Sequence, residues 1–321
     1  MKGIVKMKKL LVSFGLMTLF LVGCGNAGEN KTDTFEAEDT TPTVTVGVMP
    51  STDNMPFIVA HEQGFDKKHG VTIELETFKS GKDRDAAFQA GTVDGINADL
   101  VGVAAYLQGG MDVKITSSTF GQFDLIATAE TKSVEELKGK EVIVLKNQGP
   151  EYAVDQILAQ SGMTGSDVKI VDVPQVPSRV ELLQNDQAAA AILPEPFVTM
   201  TTTQGMTNLG STRSIGINPF VLCFTTEAIN EKSDALQGMY DAYNEAVDWM
   251  KEHDKSEYIQ LFIDEIGFPE ELKDDIQVPE YPHASQATAE DITKAFEWAK
   301  EKGILKEMID SKDVLSDVYF K

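Results

Sequence analysis

The fold is decided by residues 43–78, TVTVGVMPSTDNMPFIVAHEQGFDKKHGVTIELETF, in which a strand, a polar turn, an apolar segment and a second strand follow one another. Thr43–Val48 is rich in β-branched residues and predicts the first strand. The turn occupies residues 50–54, and an apolar segment follows it. In residues 71–78 apolar and polar side chains alternate, which predicts the second strand. Strands and helices that alternate at such short intervals are typical of parallel α/β units.

The rest of the chain divides into two further parts. The alternation continues to residue 118 and resumes at residue 124, whereas residues after 225 have helical periodicity, as in 233–253. We therefore predict a two-lobed α/β fold, each lobe a mixed, mainly parallel sheet flanked by helices. Lobe one is predicted to comprise residues 43–123 and 226–321, and lobe two residues 124–225. Two strands bracket the inserted part, which indicates a two-strand hinge.

The first residues have the pattern of an export signal. Four lysines precede an apolar run, residues 10–22, which ends in Leu-Val-Gly-Cys at Cys24. This ending resembles a bacterial lipobox, which implies removal of residues 1–23 and acylation of Cys24. Residues 24–42 are polar and predict a flexible linker. An ordinary secretory signal with a chance cysteine is the alternative.

The charge of the chain limits its partners. Against 28 Lys and Arg there are 51 Asp and Glu, for a net charge of −23. Such an acidic protein is expected to repel nucleic acid and anionic lipid headgroups, so membrane attachment would depend on the lipid anchor. With only two cysteines, Cys24 and Cys223, there is no disulfide framework. Cys223 lies in an apolar run and is expected to be a buried, small hydrophobic residue.

The pattern of catalytic and metal-ligating residues points away from an enzyme. The four histidines, at positions 61, 69, 253 and 283, are scattered, and no nucleophile elbow, P-loop or dinucleotide motif occurs. We therefore predict no catalytic residue, no metal and no cofactor.

A series of short motifs resembles the type II periplasmic substrate-binding proteins, in the subgroup that serves nitrate, sulfonate, taurine and thiamine-pyrimidine-precursor transporters. The order and spacing of the motifs carry this resemblance over residues 43–302. The motifs are Ala60-x-x-x-Gly64-Phe65, Gly70-Val71-x-Ile73-x-Leu75, AGTVD at 90–94, LKGKEV at 137–142 and LPEPF at 193–197.

The resemblance implies a function in transport. Proteins of this type capture a small solute between two lobes and deliver it to an ABC permease with its ATPase. A lipid-anchored form on the extracytoplasmic face is the arrangement expected in Gram-positive bacteria, and we expect a monomer. Two alternatives from other classes remain: an enzyme related to the pyrimidine-precursor synthases of this fold, and a receptor or adhesion lipoprotein.

The solute is expected at the carboxyl ends of the strands, where ligands bind in open α/β sheets. Six loops follow predicted strands there. Several of their polar residues have an alternative role as helix caps or turn residues, and Tyr152 and Phe197 could belong to the core. The side chains and backbone groups expected at the solute are Ser51, Thr52, Asp53, Asn54, Asn97, Asp99, Ser117, Ser118, Asn147, Gln148, Gly149, Tyr152, Glu195 and Phe197.

The charges near these loops favour a neutral or amine-bearing solute, such as an aminopyrimidine, over nitrate or a sulfonate. Acidic residues are frequent on the loops, and Glu195, held between two prolines, is the most specific candidate to accept a hydrogen bond from an amino group. Its alternative is a first-turn acid that interacts with the helix dipole. The chain has three arginines, and Arg84 and Arg179 are expected on solvated helix faces.

Overall fold

The structure is a computed structural model that describes residues 41–320, and within them the chain forms two five-stranded sheets. Cys24, the predicted signal at 1–23 and nearly all of the predicted linker lie outside the described residues. The strands are β1 (Thr43–Val48), β2 (Thr72–Thr77), β3 (Gly95–Asp99), β4 (Val113–Ser118), β5 (Asp124–Ala127), β6 (Glu141–Val144), β7 (Lys169–Asp172), β8 (Ala190–Leu193), β9 (Thr207–Ser211) and β10 (Phe220–Thr225).

Helices cover both sheets. In the described residues they are α1 (Met55–Glu62), α2 (Phe65–Lys68), α3 (Gly81–Gln89), α4 (Leu100–Gln108), α5 (Gly149–Gln160), α6 (Val176–Gln184), α7 (Phe197–Thr202), α8 (Thr226–Glu231), α9 (Ser233–Glu252), α10 (Ile259–Leu261), α11 (Ala289–Glu301) and α12 (Ser311–Val314).

The two sheets share one plan. The first has the order β2-β1-β3-β10-β4, and the second has the order β7-β6-β8-β5-β9. In the first sheet β1 is parallel to β2 and β3, and β10 is antiparallel to β3 and β4. In the second sheet β6 is parallel to β7 and β8, and β5 is antiparallel to β8 and β9. The predicted class, two lobes with mixed, mainly parallel sheets flanked by helices, is confirmed.

The end of the inserted part differs from the prediction. We expected Phe220–Thr225 at the end of lobe two, but this strand pairs with β3 and β4 in the first sheet. Its apolar pattern predicted a buried strand correctly, and Val221 to Phe224 are at most 1% exposed. Pattern alone does not say which sheet a buried strand joins. The edge strand β9, a polar segment, was not predicted because it lacks an apolar alternation.

The chain crosses between the sheets twice, through residues 119–123 and 212–219. The N–H of Phe123 donates to Oγ1 of Thr212 at 3.2 Å, and the N–H of Thr212 donates to the Phe123 carbonyl at 2.9 Å. The rings of Phe123 and Phe220 lie 4.6 Å apart. The two segments are thus bonded side by side and form the two-strand hinge.

The residues after β10 return to lobe one. Helix α9 packs on α1, α2 and β1, and α11 packs on α4. The apolar stripe predicted for α9 is buried: Leu236, Met239, Tyr240, Tyr243, Val247 and Met250 are each at most 6% exposed. Helical periodicity does not continue through residues 305–309, where Leu305 is buried and the chain on either side of it bends.

Candidate ligand-binding cleft

A cleft lies between the lobes, at the carboxyl ends of the strands. The space between its atoms, including the part open to solvent, amounts to about 670 Å³. Its walls are mainly apolar, with Phe123 and Phe220 from the hinge region and Leu145 and Val176 from lobe two. Five residues that the sequence predicted at the solute line this cleft: Ser51, Asp53, Asn97, Asp99 and Gln148.

Asp53 is the cleft residue with an unused hydrogen-bond acceptor. It follows β1 in a short 3-10 turn and is 2% exposed. Its Oδ2 accepts from Nδ2 of Asn97 at 2.8 Å and from Oγ1 of Thr119 at 2.7 Å. Its Oδ1 is buried and has no hydrogen-bond partner within residues 41–320. A buried oxygen of this kind is costly unless a donor reaches it, and a solute in the cleft could supply that donor.

Asp99 joins the two lobes. It caps α4, and its Oδ1 accepts from the N–H of Gly102 and from the N–H of Gly149 of lobe two, each at 2.9 Å. Burial raises the pKa of Asp99, partly offset by the Gly102 hydrogen bond. A Cβ on Gly149 would lie 2.5 Å from Cγ of Asp99, so only glycine permits this approach. The cleft is therefore closed by a contact between residues of different lobes.

A second set of contacts across the cleft involves Arg84. Its Nη2 and Nε donate to Oδ1 of Asp85 at 2.8 and 3.1 Å. Oδ2 of Asp85 accepts from Nε2 of Gln148 on lobe two at 3.1 Å. Arg84 is 7% exposed and lines the cleft, so the expected position on a solvated helix face is wrong. The solvent-exposed face of α3 is the one opposite to Arg84 and Asp85.

Arg179 also lies at the cleft rather than on a solvated face. It is 2% exposed, and its Nε, Nη1 and Nη2 donate to the carbonyls of Val173, Ile192 and Pro174 at 2.8, 3.1 and 3.2 Å. Burial lowers the pKa of Arg179 to about 10, although Asp172 opposes the shift. Sequence reasoning missed it because these carbonyls come from segments that only the sheet brings together.

Glu195 does not line the cleft. Its Oε2 accepts from the N–H of Thr199 and its Oε1 from the hydroxyl of the same residue, each at 3.0 Å. Glu195 thus lies just before α7 and bonds to the first turn of this helix, whereas the alternative that the sequence left open was an acid within that turn. Burial raises the pKa of Glu195, and the Thr199 hydrogen bonds partly offset the shift.

Three other predicted residues, on the loops after β1 and β6, form hydrogen bonds within the protein. The carbonyl of Thr52 accepts from the hydroxyl of Tyr281 at 2.7 Å. The side chain of Asn54 donates to the Met49 carbonyl and accepts from Asn97. Asn147 has a φ of 60°, and its N–H donates to Oε2 of Glu151 at 2.7 Å, which turns the chain into α5.

The two serines and the two aromatic residues also lie away from the cleft lining. Ser117 accepts from the hydroxyl of the buried Tyr240 at 3.1 Å, and Ser118 bonds to Ser285 on the loop before α11. The ring of Tyr152 meets that of Trp298, on α11, at 5.6 Å. Phe197 packs on the core of lobe two. These four positions share one cause, since a strand end or helix start offers faces that the sequence does not distinguish.

The described chain contains no cluster of histidine, cysteine, aspartate and glutamate that could hold a metal ion. Cys223 is buried in β10, and burial raises the pKa of its thiol to about 12. Among the described residues, no helix combines the length and the apolar character that crossing a membrane requires.

The fold and the cleft define the class: this is a protein of the two-lobed periplasmic-binding-protein fold. The chain belongs to the NMT1-like family, whose model matches residues 37–263. No curated protein matches the chain by sequence.

Solved structures similar to this chain include binding proteins and an enzyme. The periplasmic aliphatic sulphonate binding protein SsuA from Escherichia coli has a TM-score of 0.71 at 15% identity, over 85% of this chain and 92% of that one. The periplasmic nitrate-binding protein NrtA from Synechocystis has a TM-score of 0.65 at 16% identity, over 86% and 85%. The desulfurization enzyme DSZB has a TM-score of 0.61 at 11% identity, over 86% and 96%. At such identities the likeness concerns the fold.

Proposed function

We propose that this protein is an extracytoplasmic solute-binding protein of an ABC importer. The observation that carries the proposal is the closure of the cleft by contacts between lobes, Gly149 to Asp99 and Gln148 to Asp85. A solute that touches both lobes binds the closed form better than the open one and shifts the population towards it. The permease would then recognise the closed form.

The solute is proposed to carry an N–H donor, such as an amine or an aminopyrimidine. The free Oδ1 of Asp53 supports this, because a buried carboxylate oxygen accepts from a donor and repels an oxyanion. A sulfonate or nitrate, as the names of SsuA and NrtA suggest, is the alternative. Either would bind without cofactor and without chemical change.

The membrane attachment is part of the proposal. Acylation at Cys24 would hold the protein at the extracytoplasmic face of the membrane, as in a Gram-positive bacterium, through the linker up to residue 42. The net charge of −23 disfavours electrostatic attraction of the protein to anionic lipid, which supports a lipid anchor as the source of attachment.

An enzyme is the second candidate, because DSZB shares this fold. The lining of the cleft favours binding. In the described chain neither a cysteine nor a histidine lines it, and its single hydroxyl side chain belongs to Ser51.

A thermal-shift screen of the purified chain against aminopyrimidines, amines, sulfonates, amino acids and nitrate tests the proposal, since a specific solute stabilises the folded state. We expect one class to raise the melting temperature, and Asp53→Asn to weaken binding of that solute by about tenfold or more. The exposed variant Asp274→Asn is the control. Failure of every solute contradicts a binding protein, and conversion of the bound solute to a product, seen by mass spectrometry, contradicts the non-enzymatic assignment.

A further inference from the structure

Two buried charges of opposite sign line the cleft, one on each lobe. Asp53 is on lobe one and Arg179 is on lobe two, and each is 2% exposed. Burial of a charge is costly unless an opposite charge or sufficient hydrogen bonds compensate it. The partners of each group therefore indicate what a solute has to supply.

Arg179 forms no salt bridge within residues 41–320, although the charge of Asp172 acts on it from a longer distance. All of its hydrogen bonds within the described residues go to carbonyls, those of Val173, Pro174 and Ile192. A guanidinium has five N–H donors, so two remain, one on each terminal nitrogen. Arg84, the other buried arginine at the cleft, differs because Asp85 neutralises it at 2.8 Å.

The three carbonyls also fix the plane of the Arg179 guanidinium. A fixed guanidinium binds a carboxylate or sulfonate without further loss of side-chain freedom. The pKa of Arg179 falls to about 10 because burial disfavours its charge, and Asp172 offsets this effect only in part.

Asp53 has the complementary requirement. Asn97 and Thr119 occupy its Oδ2, and its Oδ1 has no partner among the described residues. The cleft that holds both charged groups also has apolar lining residues, among them Phe123, Phe220 and Val176. The cleft thus offers an acceptor on one lobe, a cationic donor on the other, and apolar surface.

We propose that the solute is a zwitterion with a short apolar body, whose ammonium group binds Oδ1 of Asp53 and whose carboxylate or sulfonate binds Arg179. This rests on the proposed solute-binding function. Each end of the solute neutralises a buried charge of a different lobe, so both ends favour the closed form. A zwitterion also has no net charge, so the acidic protein does not repel it at long range.

Calorimetric titration of the unmodified protein with matched probes tests this directly at neutral pH. The zwitterions are glycine, 4-aminobutanoate, 6-aminohexanoate and 3-aminopropanesulfonate, and the single-charge probes are butylamine, butanoate and propanesulfonate. We expect the best zwitterion to bind at least about tenfold more tightly than each single-charge probe, whether the probe lacks the ammonium or the anionic group. The sulfonate and carboxylate zwitterions distinguish the two anionic ends.

If butylamine binds as tightly as the best zwitterion, the proposed role of Arg179 is overturned. If butanoate or propanesulfonate binds as tightly as the best zwitterion, the proposed role of Asp53 is overturned. If no zwitterion binds while another solute from the thermal-shift screen does, the zwitterion is rejected and the solute-binding function stands. If no solute of any class binds, the proposed function itself fails.

Variants give a second, independent readout. Arg179→Gln is expected to lower the affinity for the zwitterion by about tenfold or more and to leave the affinity for butylamine unchanged. Asp53→Asn should lower the affinity for both probes. Lys294→Gln, on the exposed face of α11, removes one positive charge far from the carbonyls of lobe two and should change neither. Equal loss of zwitterion and butylamine in a folded Arg179→Gln protein would contradict the proposal. If Arg179→Gln does not fold, the probe series on the unmodified protein decides.

Discussion

The backbone N–H of Gly149, in lobe two, donates to Oδ1 of Asp99, in lobe one, at 2.9 Å. The same oxygen caps α4 through Gly102, so one carboxylate serves both the fold of lobe one and the contact between lobes. Because Gly149 begins α5, closure of the cleft brings the start of a helix in lobe two against the start of a helix in lobe one.

Gly149→Ala should prevent full closure. The new Cβ would lie 2.5 Å from Cγ and 2.7 Å from Cβ of Asp99, which requires the lobes to move apart. We expect the affinity for the solute to fall by about tenfold or more, with a small change in melting temperature of the free protein. Calorimetry measures this. In the control, Gly102→Ala, the new Cβ meets its nearest atom at 3.5 Å, and affinity should be retained. Equal affinity of both variants would contradict the role of Gly149.

Lys302 should stabilise the closed form from outside the cleft. It follows α11, and its Nζ reaches Oε1 of Glu151 and Oδ2 of Asp155, both on α5, at 2.9 and 3.0 Å. Lys302→Met leaves two largely buried carboxylates of α5, in lobe two, without the positive charge that lobe one supplies to them in the closed form, which favours opening. Small-angle scattering of the free protein should show a larger radius of gyration than for the exposed control, Lys300→Met. A smaller or unchanged radius would contradict this role.

Glu195 should make stability fall as the pH rises. Burial raises its pKa in the folded state, so the folded protein holds this proton more tightly than the unfolded chain. The contribution is fully present below the unfolded pKa and is lost as the pH rises through the folded pKa. Glu195→Gln should remove this pH dependence, measured by urea unfolding in mildly acidic and neutral buffer. Glu297→Gln, an exposed control on α11, should retain the pH dependence of the wild type. If the free energy of unfolding of Glu195→Gln changes with pH as in the wild type, the prediction is contradicted.

Cys24→Ala should abolish lipid attachment. In cells fed an alkyne analogue of palmitate, the wild type should be labelled and the Cys24→Ala protein should not, because the thiol is the acylation site of the predicted signal. Cys223→Ala is the matched control, since it removes the other cysteine, which is buried in β10. Labelling of Cys24→Ala would exclude the lipobox.

The position of Asp53 could be predicted from sequence because it depends on local order. The loop after a parallel strand necessarily lies at the carboxyl edge of the sheet, so the strand Thr43–Val48 places its turn at the cleft. The same reasoning places Asn97 and Asp99 there. The apolar stripe of α9 was also predictable, because helical spacing determines its buried face.

Tyr152 and β10 could not be placed in the same way, because their partners are distant in sequence. Arg179 could not be placed because its partners are backbone carbonyls, which no residue type in the sequence marks. Arg179 is held by carbonyls near the ends of two strands, and Tyr152 meets Trp298 only after the chain has returned to lobe one. Sequence patterns report burial and local structure. They do not report which lobe supplies the neighbour.

The central claim is that a solute closes two lobes, and small-angle X-ray scattering of the unmodified protein, with and without the solute selected by the thermal-shift screen, tests it most directly. The free protein should be on average more extended than the closed structure. Saturation with solute should lower the radius of gyration to the value calculated for the closed structure. Identical scattering curves with and without a solute that calorimetry shows to be bound would contradict it.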